Sequence, residues 1–205
     1  MKENCGAILL AGGNSSRMGR DKASLEINNQ TLLERLILVL RSVVNETVVI
    51  RAPGQSLPKI SIELKNWIKV GSDSVIGRGP LQGIADALPL LNPDLEKIFI
   101  ITCDLPNLTS EWLQILYDLM TDEYDIVCTE ENGITNPLLG IYRRHVLDLA
   151  KNILSSGKRR PLLLWEGWQM ASVSAPEETP WICMDANTPI EFEKAKKIIS
   201  AKNND

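Results

Sequence analysis

The residues 11–22, Ala11-Gly12-Gly13-Asn14-Ser15-Ser16-Arg17-Met18-Gly19-Arg20-Asp21-Lys22, combine adjacent glycines with closely spaced cations. Adjacent glycines let a backbone approach a ligand and turn successive N–H groups toward it. Arg17, Arg20 and Lys22 against the single Asp21 leave this stretch at +2, in a chain whose net charge is -4. Arginine offers phosphate oxygens a planar fork, and lysine offers a mobile point charge. A triphosphate calls for that combination. Two better-known phosphate loops are excluded. Five residues separate Gly13 from Gly19 and Arg20-Asp21 follow, which does not fit the Walker spacing, and Gly-x-Gly-x-x-Gly is absent.

A second feature is Asp104, which follows the run 97–103 and precedes Pro106. Mg²⁺ takes one or two carboxylates together with substrate phosphates and water. A carboxylate at a strand end suits that role; the alternative is an aspartate that caps its own turn. Asp73, in Gly71-Ser72-Asp73-Ser74, follows another short strand and has the same alternative. Arg78 precedes a helix start at Pro80, where an anion is favoured. Other chemistries find little support. His145 is the only histidine and the four cysteines are scattered, which argues against structural zinc and against a histidine-based nucleophile system.

The elements that must carry these residues alternate. Apolar runs at 5–10, 46–52, 67–71, 97–103, 124–129, 137–142, 168–175 and 181–184 predict strands. Helices are predicted from Thr31, over 80–91, 109–120 and 145–154, and from Thr188 to about residue 200. Thr31 and Glu34, and again Thr188 and Glu191, stand at capping-box spacing. Strands that are apolar throughout imply a sheet covered on both faces. The expected fold is therefore a three-layer α/β/α arrangement with a mostly parallel central sheet, as one domain over 1–205. Ligands of such sheets bind beyond the carboxyl ends of the strands, where the glycine-rich stretch and Asp104 both lie.

Leu10-Ala11-Gly12-Gly13-x-Ser15-x-Arg17-Met18-Gly19-x-Asp21-Lys22 resembles the signature of the molybdenum cofactor guanylyltransferases, in the nucleotide-diphosphosugar-transferase-like superfamily. Gly79-Pro80-Leu81-x-Gly83-Ile84, Cys103-Asp104-x-Pro106 and Asn187-Thr188-Pro189 extend the resemblance, in order, over nearly the whole chain. It implies a Rossmann-like nucleotidyltransferase fold. The N-terminal half would bind the nucleotide and the C-terminal half the acceptor.

The implied reaction is magnesium-dependent transfer of GMP from GTP to the phosphate of molybdopterin, or Mo-molybdopterin, with release of pyrophosphate. Lys22, Arg17 and Asp104 are the expected catalytic residues. Leu10, Ala11, Gly12, Gly13, Lys22, Asp73 and Asp104 would hold the nucleotide, and Asp104 the metal. Transient contact with other molybdenum-cofactor biosynthesis proteins or apo-molybdoenzymes is implied as well. A glycine at position 12, where cytidylyl relatives usually have alanine, would leave room beside a larger base. Asn136 and Asn187 could pair with a pterin, Trp165 or Trp168 could stack on one, and Lys158-Arg159-Arg160 could meet its phosphate; turn, packing and solvated-charge roles compete with each. One departure stands out. Arg51 occupies the place where family members often carry an asparagine of the nucleotide site, so that contact is not carried over.

Two other functions fit parts of the pattern: a CTP-dependent cytidylyltransferase acting on molybdopterin or a sugar or polyol phosphate, and a non-catalytic nucleotide-binding or cofactor-delivery protein. An isoelectric point near 5.2 and 5% aromatic residues argue against a nucleic-acid partner. The N-terminus does not read as a signal peptide, no apolar run is long enough to span a membrane, and the cysteines read as buried reduced thiols. A cytoplasmic protein is expected.

Overall fold

The computed structural model describes residues 4–12 and 21–202. The chain opens with β1 (Cys5–Leu10), a short hairpin of β2 (Glu26–Ile27) and β3 (Gln30–Thr31), α1 (Leu32–Arg41) and β4 (Glu46–Arg51). Next come α2 (Ile62–Trp67), β5 (Ile68–Ser72), α3 (Pro80–Ala87), β6 (Lys97–Thr102) and α4 (Ser110–Leu119). The second half holds β7 (Ile126–Glu131), β8 (Ile134–Arg143), α5 (Arg144–Leu147), α6 (Ala150–Ser155), β9 (Met170–Ser174) and α7 (Pro189–Lys202).

Seven strands form one sheet in the order β5-β4-β1-β6-β8-β7-β9. β1 pairs in parallel with both β4 and β6, β4 with β5, and β7 with β9; β8 alone runs against its neighbours. The reversal at β8 follows from Asn132 and Gly133, both at positive φ (52° and 76°), which close a two-residue hairpin behind β7.

Side chains alternate across the strands and explain their apolar character. Ala7, Leu9, Val49, Phe99 and Ile101 face α1 and α4, where Leu36, Leu40, Trp112 and Leu116 meet them. Ile8, Leu10, Val48, Ile50 and Ile98 face the other way, onto Leu81 and Ile84 of α3 and Ala150 and Leu154 of α6. Both faces of the sheet are thus covered, which is the three-layer α/β/α arrangement expected. Burying each such Leu or Ile contributes roughly 1.5–3 kcal/mol relative to leaving it exposed. α7 packs separately, through Ala186, Phe192 and Ile199 against Ile27 and Leu32. Among the described residues, no helix is long and apolar enough to cross a membrane.

Three local expectations are corrected. Residues 181–184 are not a strand: the segment is a 3-10 turn, Pro180–Cys183. Pro180 starts it, and Met184 N–H closes it on the Trp181 carbonyl, while Ile182 and Cys183 are buried against the sheet side that α1 and α4 cover. The helix read over 145–154 is two short helices, α5 and α6. The helix read over 80–91 ends at Ala87 and tightens into a 3-10 turn, Leu88–Leu90. Both helix starts with capping-box spacing are confirmed. The Thr31 hydroxyl accepts from Glu34 N–H (3.1 Å), but the Glu34 carboxylate accepts from Ser61 N–H instead of completing the box. At α7 the box is complete.

Candidate active site

The register of the parallel strands brings their carboxyl ends to one edge: Leu10 lies beside both Ile50 and Thr102, and Arg51 beside Ser72. The chain leaves β1 toward β4 on one side and returns to β6 on the other, so the crevice opens where the strand order switches. A cavity of about 400 Å³ occupies that crevice, lined by Leu10, Ala11, Gly12, Lys22, Asp73 and Asp104 among others. Gly13 and Arg17, the two remaining expected site residues, lie outside the described residues.

Lys22 and Asp104, 82 positions apart in sequence, meet inside this cavity. The Lys22 Nζ lies 3.2 Å from Asp104 Oδ2, with the side chains 17% and 21% exposed. Local structure sets both. Asp104 follows β6 directly, and its carbonyl accepts from Ala186 N–H at 2.8 Å, tying the strand end to the segment before α7. Lys22 opens a single 3-10 turn, Lys22–Ser24, whose N-cap is Asp21: the Asp21 carboxylate accepts from Ala23 N–H (3.1 Å) and from Ser24 Oγ (3.2 Å).

A second strand end contributes Asp73. Its N–H donates to the Arg51 carbonyl (3.0 Å), and its Oδ1 is buried without a partner among the described residues. Burial, and then the charge of Asp86, push the Asp73 carboxyl above the ordinary aspartate range. A buried unpaired carboxylate oxygen at a cavity wall is suited to a ligand that brings its own N–H groups. Gly83 favours the arrangement: a Cβ there would lie 2.8 Å from Leu10 Cδ2 and 3.2 Å from Asp73 Oδ1, so a larger residue would push on both side chains.

Residues 7–170 match the model of the MobA-like NTP transferase domain. The chain belongs to this family. A curated relative from Carboxydothermus hydrogenoformans, named probable molybdenum cofactor guanylyltransferase, is 30% identical over 98% of this chain and 99% of its own. The MobA-like fold is shared with molybdopterin-guanine dinucleotide biosynthesis protein A of Archaeoglobus fulgidus, at TM-score 0.72 and 19% identity over 96% of this chain and 99% of that one. It is shared also with 2-C-methyl-D-erythritol 4-phosphate cytidylyltransferase of Thermus thermophilus, at TM-score 0.69 and 14% identity over 95% and 98%. The fold therefore accommodates nucleotidyltransferases with different bases and acceptors.

Within this MobA-like chain, three residues outside the expected set stand behind or beside Lys22 and Asp104. Asn187, considered above for a pterin, accepts a hydrogen bond from Lys22 Nζ through its Oδ1 and donates from Nδ2 to Asp185. Its backbone N–H and that of Thr188 both donate to Glu191 Oε2, at 2.9 and 2.8 Å, so the helix cap fixes the asparagine. Asp185 adds a second carboxylate. Desolvation raises its carboxyl, and the charges of Asp104 and Glu191 add to the effect. The third is Arg51, only 3% exposed, whose guanidinium donates to the Ala11 carbonyl, to both oxygens of Asp21 and to the Ser56 carbonyl (3.0 Å). The usable sequence signals were Asp185-x-Asn187 immediately before a capping box, and a charged residue ending an otherwise apolar strand.

Other candidates fall elsewhere. Arg78 sits between the lining residues Gly77 and Gly79 without lining the cavity itself. The Asn136 Oδ1 accepts from Leu138 N–H (2.9 Å), a turn role. Trp165 donates to the Tyr142 hydroxyl (3.2 Å), and Trp168 packs against the His145 ring. Lys158, Arg159 and Arg160 are solvent-exposed. All four cysteines are buried, and burial pushes the Cys103 thiol, on the cavity wall, up to about 12, so it is no nucleophile at neutral pH.

The reason given for Gly12 is also corrected. A Cβ there would overlap Ala52 N and lie 2.9 Å from the Arg51 carbonyl carbon. The missing methyl makes room for the neighbouring strand's backbone, not for a base. Gly12→Ala is expected to lower Tm by about 2–12 °C, since overpacking costs about 1–3 kcal/mol and each kcal/mol shifts a domain of this size by about 2–4 °C. A thermal melt identical to that of the parent would contradict this contact.

Proposed function

We propose that this chain transfers GMP from GTP to the phosphate of molybdopterin, releasing pyrophosphate. The observation that carries the proposal is the meeting of Lys22 and Asp104 in the switch-point cavity, in a MobA-like chain whose curated relative bears the guanylyltransferase name. An oxygen of the pterin phosphate attacks the α-phosphorus of GTP. The new P–O bond forms as the bond to the bridging oxygen breaks, and the electron pair leaves with pyrophosphate. The acceptor is already an anion, so the protein supplies positioning and charge rather than a nucleophile.

The donors around Lys22 suit magnesium. Asp104, Asp185 and the Asn187 carboxamide are hard oxygen ligands, with neither imidazole nor an ionised thiol among them. No cluster of three or more His, Cys, Asp or Glu side chains forms a metal cage among the described residues, which fits an ion completed by phosphates and water. Asp104 would hold Mg²⁺ there, and the ion would supply neutralisation of the charge that develops on the phosphates. Lys22 would turn to the phosphates, and the N–H groups near Gly12 would orient them. Gly13 and Arg17 belong to the same proposed phosphate grip. One catalytic unit, with its acceptor side in the C-terminal half, works in the cytoplasm.

Asp73 selects the base. Guanine presents N1–H and N2–H side by side, a pair that one carboxylate can accept, whereas cytosine offers only its amino group. Titration in Mg²⁺ is expected to give at least tenfold tighter binding of GTP than of CTP. Pyrophosphate release should require molybdopterin. Tighter binding of CTP would replace this function by the cytidylyl one, and nucleotide binding with no acceptor-dependent turnover would indicate a carrier.

Asp73→Asn should weaken GTP by roughly 10- to 150-fold, the value of a hydrogen bond to a charged group at about 1.5–3 kcal/mol. The same change should raise the Tm of the free protein. Because the folded pKa is raised, the ionised Asp73 costs stability at neutral pH, and that cost disappears as pH falls through the folded and then the unfolded value. The Tm advantage of the asparagine variant should therefore shrink on acidification, while GTP affinity of the parent declines over the same window. An unaltered Tm difference between pH 7 and pH 4 would count against the assignment.

A further inference from the structure

Arg51 ends β4 in a place that cannot touch a ligand. It does not line the cavity, although its neighbours Ile50 and Ala52 do, and it is 3% exposed. A buried arginine is costly unless its donors are satisfied. Here Nη1 and Nη2 reach three separate segments, and only Nε is left without a partner among the described residues. One is the Ala11 carbonyl, just before the glycine pair; another is the Asp21 carboxylate, just after the glycine-rich stretch; the last is the Ser56 carbonyl. Its backbone carbonyl accepts from Asp73 N–H, so the same residue also registers the carboxylate on the cavity's other wall.

The Asp21 contact transmits farthest. Asp21 caps the turn that carries Lys22, so its orientation sets where the ammonium points. Arg51 engages Asp21 as a fork, with Nη1 on Oδ1 (3.5 Å) and Nη2 on Oδ2. A lysine has three donors on one nitrogen but no planar fork, so it cannot span the Ala11 and Ser56 carbonyls and both oxygens of Asp21 as the guanidinium does.

We infer that Arg51 is a positioning residue for phosphate binding: it ties the backbone entering the glycine-rich stretch to the side chain leaving it, and so aims Lys22 without contacting the nucleotide. This inference rests on the cavity being a nucleotide site. It gives Arg51 a function different from that of the asparagine often found in its place. What the position loses as a direct contact it supplies as a brace behind the wall.

The test compares GTP with guanosine. Both use the base side of the cavity, but only GTP uses the phosphate side. Arg51→Lys keeps the charge and most of the bulk, and Asp21→Asn alters a side chain that is 30% exposed, so folding survives in at least one of them. Each variant is expected to weaken Mg²⁺-dependent GTP binding at least tenfold and to change guanosine binding less than twofold. The two changes delete one tie, so the double variant should bind GTP no more weakly than the poorer single variant. Added guanidinium should restore part of the GTP affinity in Arg51→Ala.

GTP binding within twofold of the parent in the folded variants overturns the inference. So does an equal loss for GTP and guanosine, which would mean general collapse of the cavity. Additive losses in the double variant do the same. If the parent prefers CTP, the guanylyl proposal falls and the comparison is made with CTP and cytidine instead. If the parent binds neither nucleotide, both proposals fall.

Discussion

Asp104→Asn is expected to reduce acceptor-dependent pyrophosphate release by about a thousandfold at saturating GTP and Mg²⁺. The substitution removes one negative charge from the end of β6, where it faces Lys22 across 3.2 Å. Metal-assisted charge stabilisation is worth several kcal/mol in phosphate chemistry, and about 4 kcal/mol corresponds to that factor in rate. The fold should persist: the Asp104 carbonyl keeps its bond to Ala186 N–H, and Lys22 keeps Asn187. Tm should move by no more than a few degrees, roughly the effect of a partly exposed ion pair. Mn²⁺ binding, followed by electron paramagnetic resonance, should weaken in parallel with the rate. A variant within tenfold of the parent, or one that binds Mn²⁺ unchanged, would remove Asp104 from the metal site.

Lys22→Ala comes next in size. Removing one preorganised charge from a site that stabilises a transition state costs about 2.7–4 kcal/mol, or 10²–10³ in rate. The lysine is held by Asp104 and Asn187 before any ligand arrives, so little reorganisation separates it from the phosphates. Its loss should therefore lower kcat more than it raises KM for GTP. The free enzyme should show an opposite sign toward metal: without the competing ammonium, Asp104 should bind Mn²⁺ more tightly in the absence of nucleotide. Full activity in Lys22→Ala would discredit the phosphate role. Because the two side chains are in contact, losses from Asp104→Asn and Lys22→Ala should combine to less than their product.

How far these residues could be read from the chain depended on what kind of signal placed them. Asp104 was legible because Lys97–Thr102 is a buried parallel strand with an acidic residue at its end, and strand ends map to one edge of such a sheet. Lys22 was legible as part of a local composition, three cations around adjacent glycines. Asn187 was noticed, but not its bond to Lys22, because nothing local announces that the segment before α7 folds back onto the turn that follows the glycine-rich stretch; the contact spans 165 positions. Arg51 was noticed only as a departure. Its burial depends on acceptors from three other segments, and no periodicity encodes them. The mistaken strand at 181–184 has a similar origin: a short apolar run does not distinguish a strand from a buried turn, and packing against the sheet decided it.

α7 has a bearing on when the enzyme becomes competent. The last strand of the sheet ends at Ser174, and apart from Ile182 and Cys183 the buried residues that cover its two faces precede that point. The asparagine that holds the Lys22 ammonium comes later, just ahead of a helix anchored by a small cluster of its own. On the ribosome, a growing polypeptide can complete most of its scaffold before Lys22 acquires its Asn187 partner. Synthesis order thus puts the sheet ahead of the contact that steadies Lys22, which forms only after residues 187–202 have emerged and docked.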